Sequence, residues 1–338
     1  GSVSDSVRGY PLRAFGICLI AYTSAQMDLA LFGYAVPAIR AEFGLTLSEV
    51  MAIVSSAFLL GGALLVVLGW LADRMGRLPL FQFSLLGSSF LVALISIASG
   101  VATLTALRGA SIAVGGLSYP ITGAIITEEM PARLRGLFMG LLQIGYPLGW
   151  ALASLWSMWL LTEYGWRQLF WVGLVSLPMV WVVRRYLREP PRSAVARSTE
   201  SPPRFSDLFA TGVRERAITL FIAQFLFVWA YAASIFLFPS FLREVRALDA
   251  FNFSLLIGAG NAIGVLGYVF AAWIGERVWT RRNTVVLWTL LGALLFQVLV
   301  WGPTSFGQIL LVYALMSMFF YGSAAVKFAY LAEVFPTR

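Results

Sequence analysis

Asp28, Arg108 and Lys327 stand inside long apolar runs, in AQMDLALFG, TALRGASIA and SAAVKFAYLA respectively. An acid can take up and release a proton, a guanidinium can tune that acid, and an ammonium can hold an anion. The chain has no histidine, so proton chemistry in it falls to carboxylates. The lone cysteine, Cys18, allows neither an internal disulfide framework nor a thiolate metal cluster. Phosphate loops, nucleophile motifs and metal-ligand clusters are missing from the sequence, so the reading is not of an enzyme, and neither cofactor nor metal is expected.

Placing a lone charge in hydrocarbon costs at least about 2.5 kcal/mol. Each of the three must therefore be paired, neutralised or turned to water. Asp28 lies about 15 residues from the start of its run, and Arg108 about six residues inside the end of another. At about 1.5 Å rise per residue their backbone depths differ by less than ~10 Å, within reach of an arginine side chain. The expected device is a proton-coupling pair, in which a motion that alters the separation loads or releases a proton on Asp28. The alternative is a static ion pair joining two helices. Lys327 would attract an anion, with Arg108 as a second positive pole. Otherwise it snorkels toward the water or pairs with Glu333.

Polar side chains in apolar runs extend this set. Gln143, Gln224 and Asn261 are amides that lose energy if buried without partners, and each is a candidate substrate contact. Their ordinary alternative is an interhelical hydrogen bond worth about 0.6 kcal/mol. Tyr119, Tyr146, Tyr231 and Tyr321 are the aromatic candidates for the same cavity.

The elements that must position these groups follow from composition. Hydrophobic residues make up 59% of the 338 and charged residues only 12%, where a soluble domain carries about 25% charged. The surplus apolar surface has to face lipid, so the protein is read as all-α and integral to the membrane. Runs long enough to cross a bilayer lie near 13–39, 49–72, 79–100, 102–127, 134–161, 166–188, 216–242, 252–275, 284–302 and 305–332. They are continuous rather than alternating, which excludes barrel strands. With the N-terminus in the cytoplasm, 18 of the 24 Lys and Arg fall on the cytoplasmic side and four (Arg40, Arg167, Arg243 and Arg246) on the other. The net charge of +8 is thereby topology, and nucleic acid is not needed as a partner.

Two six-helix blocks are expected, residues 1–188 and 215–338, with a Pro/Ser/Arg-rich cytoplasmic linker at 189–214. Their punctuation repeats. Asp73-Arg74 recurs as Glu276-Arg277, and Glu128-x-x-Pro-x-Arg133 recurs as Glu333-x-x-Pro-x-Arg338, displaced by 203 and 205 residues. The second block then holds helices 7–10 only, so ten spans of a twelve-helix, pseudo-symmetric bundle are present and the last two expected helices are not.

These residues resemble the major facilitator superfamily over the whole chain. GWLADRMGR, Gly69 to Arg77, is similar to the loop signature between helices 2 and 3 of that superfamily, and ERVWTRR is its degraded copy. Arg108, Gly116, Glu128, Pro131 and Arg135-Gly136 stand at sugar-porter-like spacing, with Ile112 where a glycine is expected; IGYPLGWALA replaces the antiporter-type motif of helix 5. MDLALFGYAVPAI and YGWRQLFWVGLVSLPMVWVVRRYLREPP resemble carboxylate–proton symporters of the sialate/lactate and aromatic-acid groups.

The resemblance implies two blocks that rock about a mid-membrane cavity. It also implies an acid–arginine proton pair like Asp28 and Arg108, and a substrate glutamine at Gln143. Asp73, Arg74, Arg77, Glu128 and Arg135, with Glu276, Arg277, Glu333 and Arg338, are expected to form a conformational gate. Its network closes when the cytoplasmic ends meet. The resulting expectation is a monomeric, multi-pass inner-membrane symporter of protons and a small organic anion. A neutral-sugar porter and a non-transporting sensor derived from a transporter remain open at this point.

Overall fold

A computed structural model describes residues 9–189 and 214–327, helical throughout apart from short connections. Among the described residues, ten helices are long and apolar enough to span a membrane. They are α1 (Tyr10–Phe43), α2 (Leu47–Leu68), α3 (Arg77–Ile97), α4 (Val101–Glu129), α5 (Ala132–Leu161), α6 (Trp166–Tyr186), α7 (Ile218–Glu244), α8 (Ala250–Gly275), α9 (Arg281–Trp301) and α10 (Phe306–Lys327). Each coincides with one apolar run of the sequence. Residues 190–213 of the expected 189–214 linker lie outside the described residues, as do Glu333 and Arg338.

Three of the helix breaks stand at prolines. A proline lacks an N–H and crowds the carbonyl four residues back. Pro120, Pro147 and Pro239 stand four residues after Gly116, Gln143 and Ile235. At those points α4 divides into Val101–Gly116 and Ser118–Glu129, α5 pauses between Leu142 and Gly145, and α7 between Ser234 and Phe238. The Gln143 carbonyl accepts from the Tyr146 N–H at 3.0 Å instead, a tighter turn. The break in α5 lies in the wall of the cavity described below.

Elsewhere small residues let helices touch. A Cβ on Gly149 would stand 2.7 Å from the Met27 backbone nitrogen, and one on Gly267 2.1 Å from the Met318 carbonyl oxygen. These glycines permit the close approach of α5 to α1 and of α8 to α10. The outward faces carry large apolar side chains, among them Leu59, Trp229 and Trp301, as a hydrocarbon solvent requires.

The buried core is lopsided along the bundle. We refer to the end carrying Arg13, Arg77, Arg135 and Arg184 as the basic end and its opposite as the far end. One cluster at the far end joins Phe32 and Val36 of α1, Val54 of α2 and Trp150 of α5 to Phe236 and Phe238 of α7 and Phe253 of α8. The basic end holds two separate clusters instead. One surrounds Phe81, Ile125 and Val183 within α1–α6, and the other gathers Ala271, Trp288 and Val326 of α8–α10. The first six helices and the last four thus share a broad aromatic core at the far end, and α5 also meets α8 and α10 nearer the basic end, where a Cβ on Gly140 would stand 2.9 Å from the Ala325 carbonyl oxygen. The far-end seam also carries an ion pair between Arg40 of α1 and Glu244 of α7.

Candidate functional site

Between the two groups of helices lies a cavity of about 130 Å³. Six of the side chains singled out in the sequence line it: Gln143, Tyr146, Gln224, Tyr231, Tyr321 and Lys327. They come from α5, α7 and α10, and the α5 break delivers Gln143 to the wall. A void of this order holds about one six-membered ring.

The wall is aromatic with polar tips. Tyr146 meets Tyr231 edge-on at 5.8 Å and Tyr321 at 5.2 Å between ring centroids. The Tyr22 hydroxyl donates to Gln143 Oε1 at 3.3 Å. Gln143 Nε2, Gln224 Oε1 and the hydroxyls of Tyr146, Tyr231 and Tyr321 are buried yet close no hydrogen bond of normal geometry. Buried polar atoms are nearly always bonded. Five that lack a bond of normal geometry, around one cavity, form a surface suited to a polar guest. Lys327, partly buried at the cavity's edge, holds its ammonium 3.3 Å from the centre of the Phe227 ring, a cation–π seat.

Two candidates fall outside this wall. Asn261 Nδ2 donates to the Tyr313 hydroxyl at 2.8 Å and to the Ile257 carbonyl at 2.9 Å, so its amide joins α8 to α10 rather than facing the cavity. Tyr119 lies behind Tyr22, ring centroids 5.8 Å apart, in a separate recess that it shares with Gln143. Five lining residues escaped the sequence reading: the aromatic Tyr22, Phe227 and Tyr268, with Val228 and Ala324. Phe227 follows Gln224 by three residues, so it shares a helix face with it. That spacing was a usable signal.

Asp28 lies about 9 Å further along α1 than Tyr22, from six residues of helical rise. It is only 3% exposed, and neither carboxyl oxygen closes a hydrogen bond. The polar groups that face it are the Ser176 hydroxyl of α6 and the Arg108 guanidinium of α4. Arg108 is 2% exposed. Its Nη2 donates at 2.9 Å to the carbonyl of Leu29, the residue after Asp28, and its guanidinium lies 4.7 Å from the centre of the Phe32 ring. The expected partnership is therefore one of neighbours on α1, not a direct ion pair, because the Leu29 carbonyl and the Phe32 face take the guanidinium.

The residues assigned to the gate divide. Arg77 pairs with Glu128, and the backbone N–H groups of Arg77 and Leu78 donate to the Glu189 carboxylate at 2.9 and 3.0 Å, capping α3. Arg135 Nε donates to the Met130 carbonyl at 3.0 Å. All of these partners belong to the first six helices. Arg277 is exposed. The side chains of Asp73, Arg74 and Glu276 lie outside the described residues, as do Glu333 and Arg338.

Comparison with known proteins places this geometry. A family model described as Major Facilitator Superfamily matches residues 18–338. A cis,cis-muconate transport protein of Acinetobacter baylyi is 26% identical over 96% of this chain and 80% of its own length. A probable 4-methylmuconolactone transporter of Cupriavidus pinatubonensis is 26% identical over 96% of this chain and 77% of its own. Among solved structures, a D-xylose–proton symporter superposes with a TM-score of 0.70 at 16% identity, covering 98% of this chain and 84% of its own.

Proposed function

The chain belongs to the Major Facilitator Superfamily, a family of membrane transporters, and on that premise we propose that it imports a flat organic carboxylate together with a proton. The observation that carries this reading is the cavity itself. An ammonium stands at its edge, five tyrosine rings and two amides line it, and five buried polar atoms close no hydrogen bond of normal geometry. Flat conjugated acids match that wall. Their faces stack on the rings, their carboxylate meets Lys327, and the hydroxyls and amides satisfy remaining oxygens. The names of the two relatives, one a muconate and one a muconolactone carrier, agree with this class.

Asp28 is the proposed proton carrier and Arg108 the group that tunes it. With the N-terminus in the cytoplasm of the cell membrane, the far end faces outside. The joined far end is then the closed outer side, and opening it gives the outward-facing counterpart.

In proteoliposomes, benzoate is expected to accumulate inside when the medium is the more acidic side, and benzamide is not. One proton with one monocarboxylate carries no net charge. The accumulation should therefore follow the pH gradient, about tenfold per unit, and ignore an imposed potential. Uptake of a panel of flat carboxylates that is indifferent to the gradient would overturn the reading.

The Arg40–Glu244 pair is the proposed far-end clasp. Exposed ion pairs contribute about 0.2–1 kcal/mol, so Glu244→Ala should raise the outward-open population by up to about fivefold. Thiol labelling of Ser240→Cys, a buried far-end position, reads that population. Arg40→Ala should act alike, and the double variant should add little to either. Additive effects would mean that the pair does not act as one clasp.

A further inference from the structure

Phe236 occupies the break of α7, between Ser234 and Phe238, and is fully buried. It comes from the last four helices but is planted among the first six. Its ring stacks 6.2 Å from Phe32 of α1, meets Phe58 of α2 edge-on at 6.2 Å, and meets Trp150 of α5 edge-on at 6.4 Å. Gly33 of α1 keeps the space open, since a Cβ there would stand 2.8 Å from Trp150 and 3.5 Å from Phe236. The same ring lies 5.9 Å from the Arg108 guanidinium, on which Phe32 also closes at 4.7 Å. Two aromatic faces and the Leu29 carbonyl thus fix the charge against α1, next to Asp28.

We propose that Phe236 is a positioning residue for proton coupling: with the far end closed it presses the Arg108 guanidinium onto α1 beside Asp28, and when the far end opens it withdraws and frees that guanidinium. The inference rests on the proton-coupled reading above. The far end cannot open unless Phe238–Glu244 leaves α1, and Phe236 sits in the hinge of that same segment. Its departure removes one of the two rings on Arg108, and the cation can then turn into the opened, hydrated vestibule. Asp28, without a cation at its side, takes a proton from outside. Closure returns the ring and the guanidinium, the carboxylate forms again, and the proton leaves toward the basic end. The groups facing Arg108 are Asp28 of α1 and Tyr231 of α7, while Asp28 is faced by Arg108 and the Ser176 hydroxyl. Tyr231 also lines the cavity, and its ring lies 6.4 Å from Phe236. Substrate and proton site therefore touch the two sides of one hinge.

The test compares the wild type with Phe236→Leu, which keeps apolar bulk without a ring, and Phe236→Tyr, which restores the ring. Benzoate exchange at equal pH and benzoate accumulation under a one-unit gradient are measured for each. Phe236→Leu is expected to keep exchange within about threefold while accumulation falls about tenfold, to the equilibrium level. Phe236→Tyr recovers accumulation. Raising the lumenal pH should recover part of it in Phe236→Leu, because the defect is retention of the proton. If exchange and accumulation move together across the variants, whether both fall or neither does, the proposal is overturned. A wild type that shows no gradient-driven accumulation fails the underlying reading instead, so the two failures are distinct.

Discussion

Asp28→Asn is expected to abolish gradient-driven accumulation while leaving substrate exchange near the wild-type rate. Asparagine has the size of the acid and the charge of its protonated form, so the variant imitates a carrier that never releases its proton. At a gradient of one pH unit, accumulation should drop from about tenfold to none, a loss of about 1.4 kcal/mol of driving force. Folding should survive. The carboxyl oxygens close no hydrogen bond of normal geometry, an amide can still face the Ser176 hydroxyl, and removing an ionisable group from a 3% exposed site relieves a desolvation cost. Arg108 keeps its bond to the Leu29 carbonyl and its seat on Phe32. Exchange needs only that the loaded carrier reorient, which a neutral side chain permits. Accumulation in Asp28→Asn equal to the wild type would remove Asp28 from the proton path.

The features behind that prediction were unequally legible in the sequence. Asp28 announces itself, because a carboxylate in a long apolar run is rare and expensive. The ten spans were visible for the same reason, since length and hydropathy alone define them. Side-chain direction was harder. Depth along a helix placed Arg108 near Asp28, but depth says nothing about azimuth, and the guanidinium settled on the neighbouring carbonyl. Asn261 and Gln224 look alike as amides in apolar runs. One is spent on Tyr313 of a neighbouring helix and the other faces the cavity, a difference that depends on how α8 and α10 are rotated. Phe236 was hidden among 26 phenylalanines. What could have singled it out was Pro239, whose missing N–H breaks α7 at Ile235 and gives the next residue a direction no regular helix would.

Lys327→Met should abolish the preference for carboxylates over their amides. Methionine preserves most of the stem and the apolar contact with Phe227 but removes the charge. Truncating one partner of a buried, hydrogen-bonded charge pair costs about 2–5 kcal/mol, so the apparent KM for benzoate should rise at least about thirtyfold. The weak transport of benzamide should change little, because the stacking surface of Tyr146, Tyr231 and Tyr321 is untouched. The ratio of the two uptakes is the decisive readout, since a general loss of packing lowers both. Lys327→Arg should restore the ratio only in part. A planar guanidinium asks for a two-pronged partner and more room than a cavity of about 130 Å³ provides. The lysine's seat also explains how an ammonium can wait at an apolar wall without closing off the site. The face of Phe227 stabilises the cation beside the cavity, where an arriving carboxylate can reach it. If Lys327→Met lowers benzoate and benzamide uptake in equal proportion, the residue serves packing, and selection of the anion must lie elsewhere in the cavity.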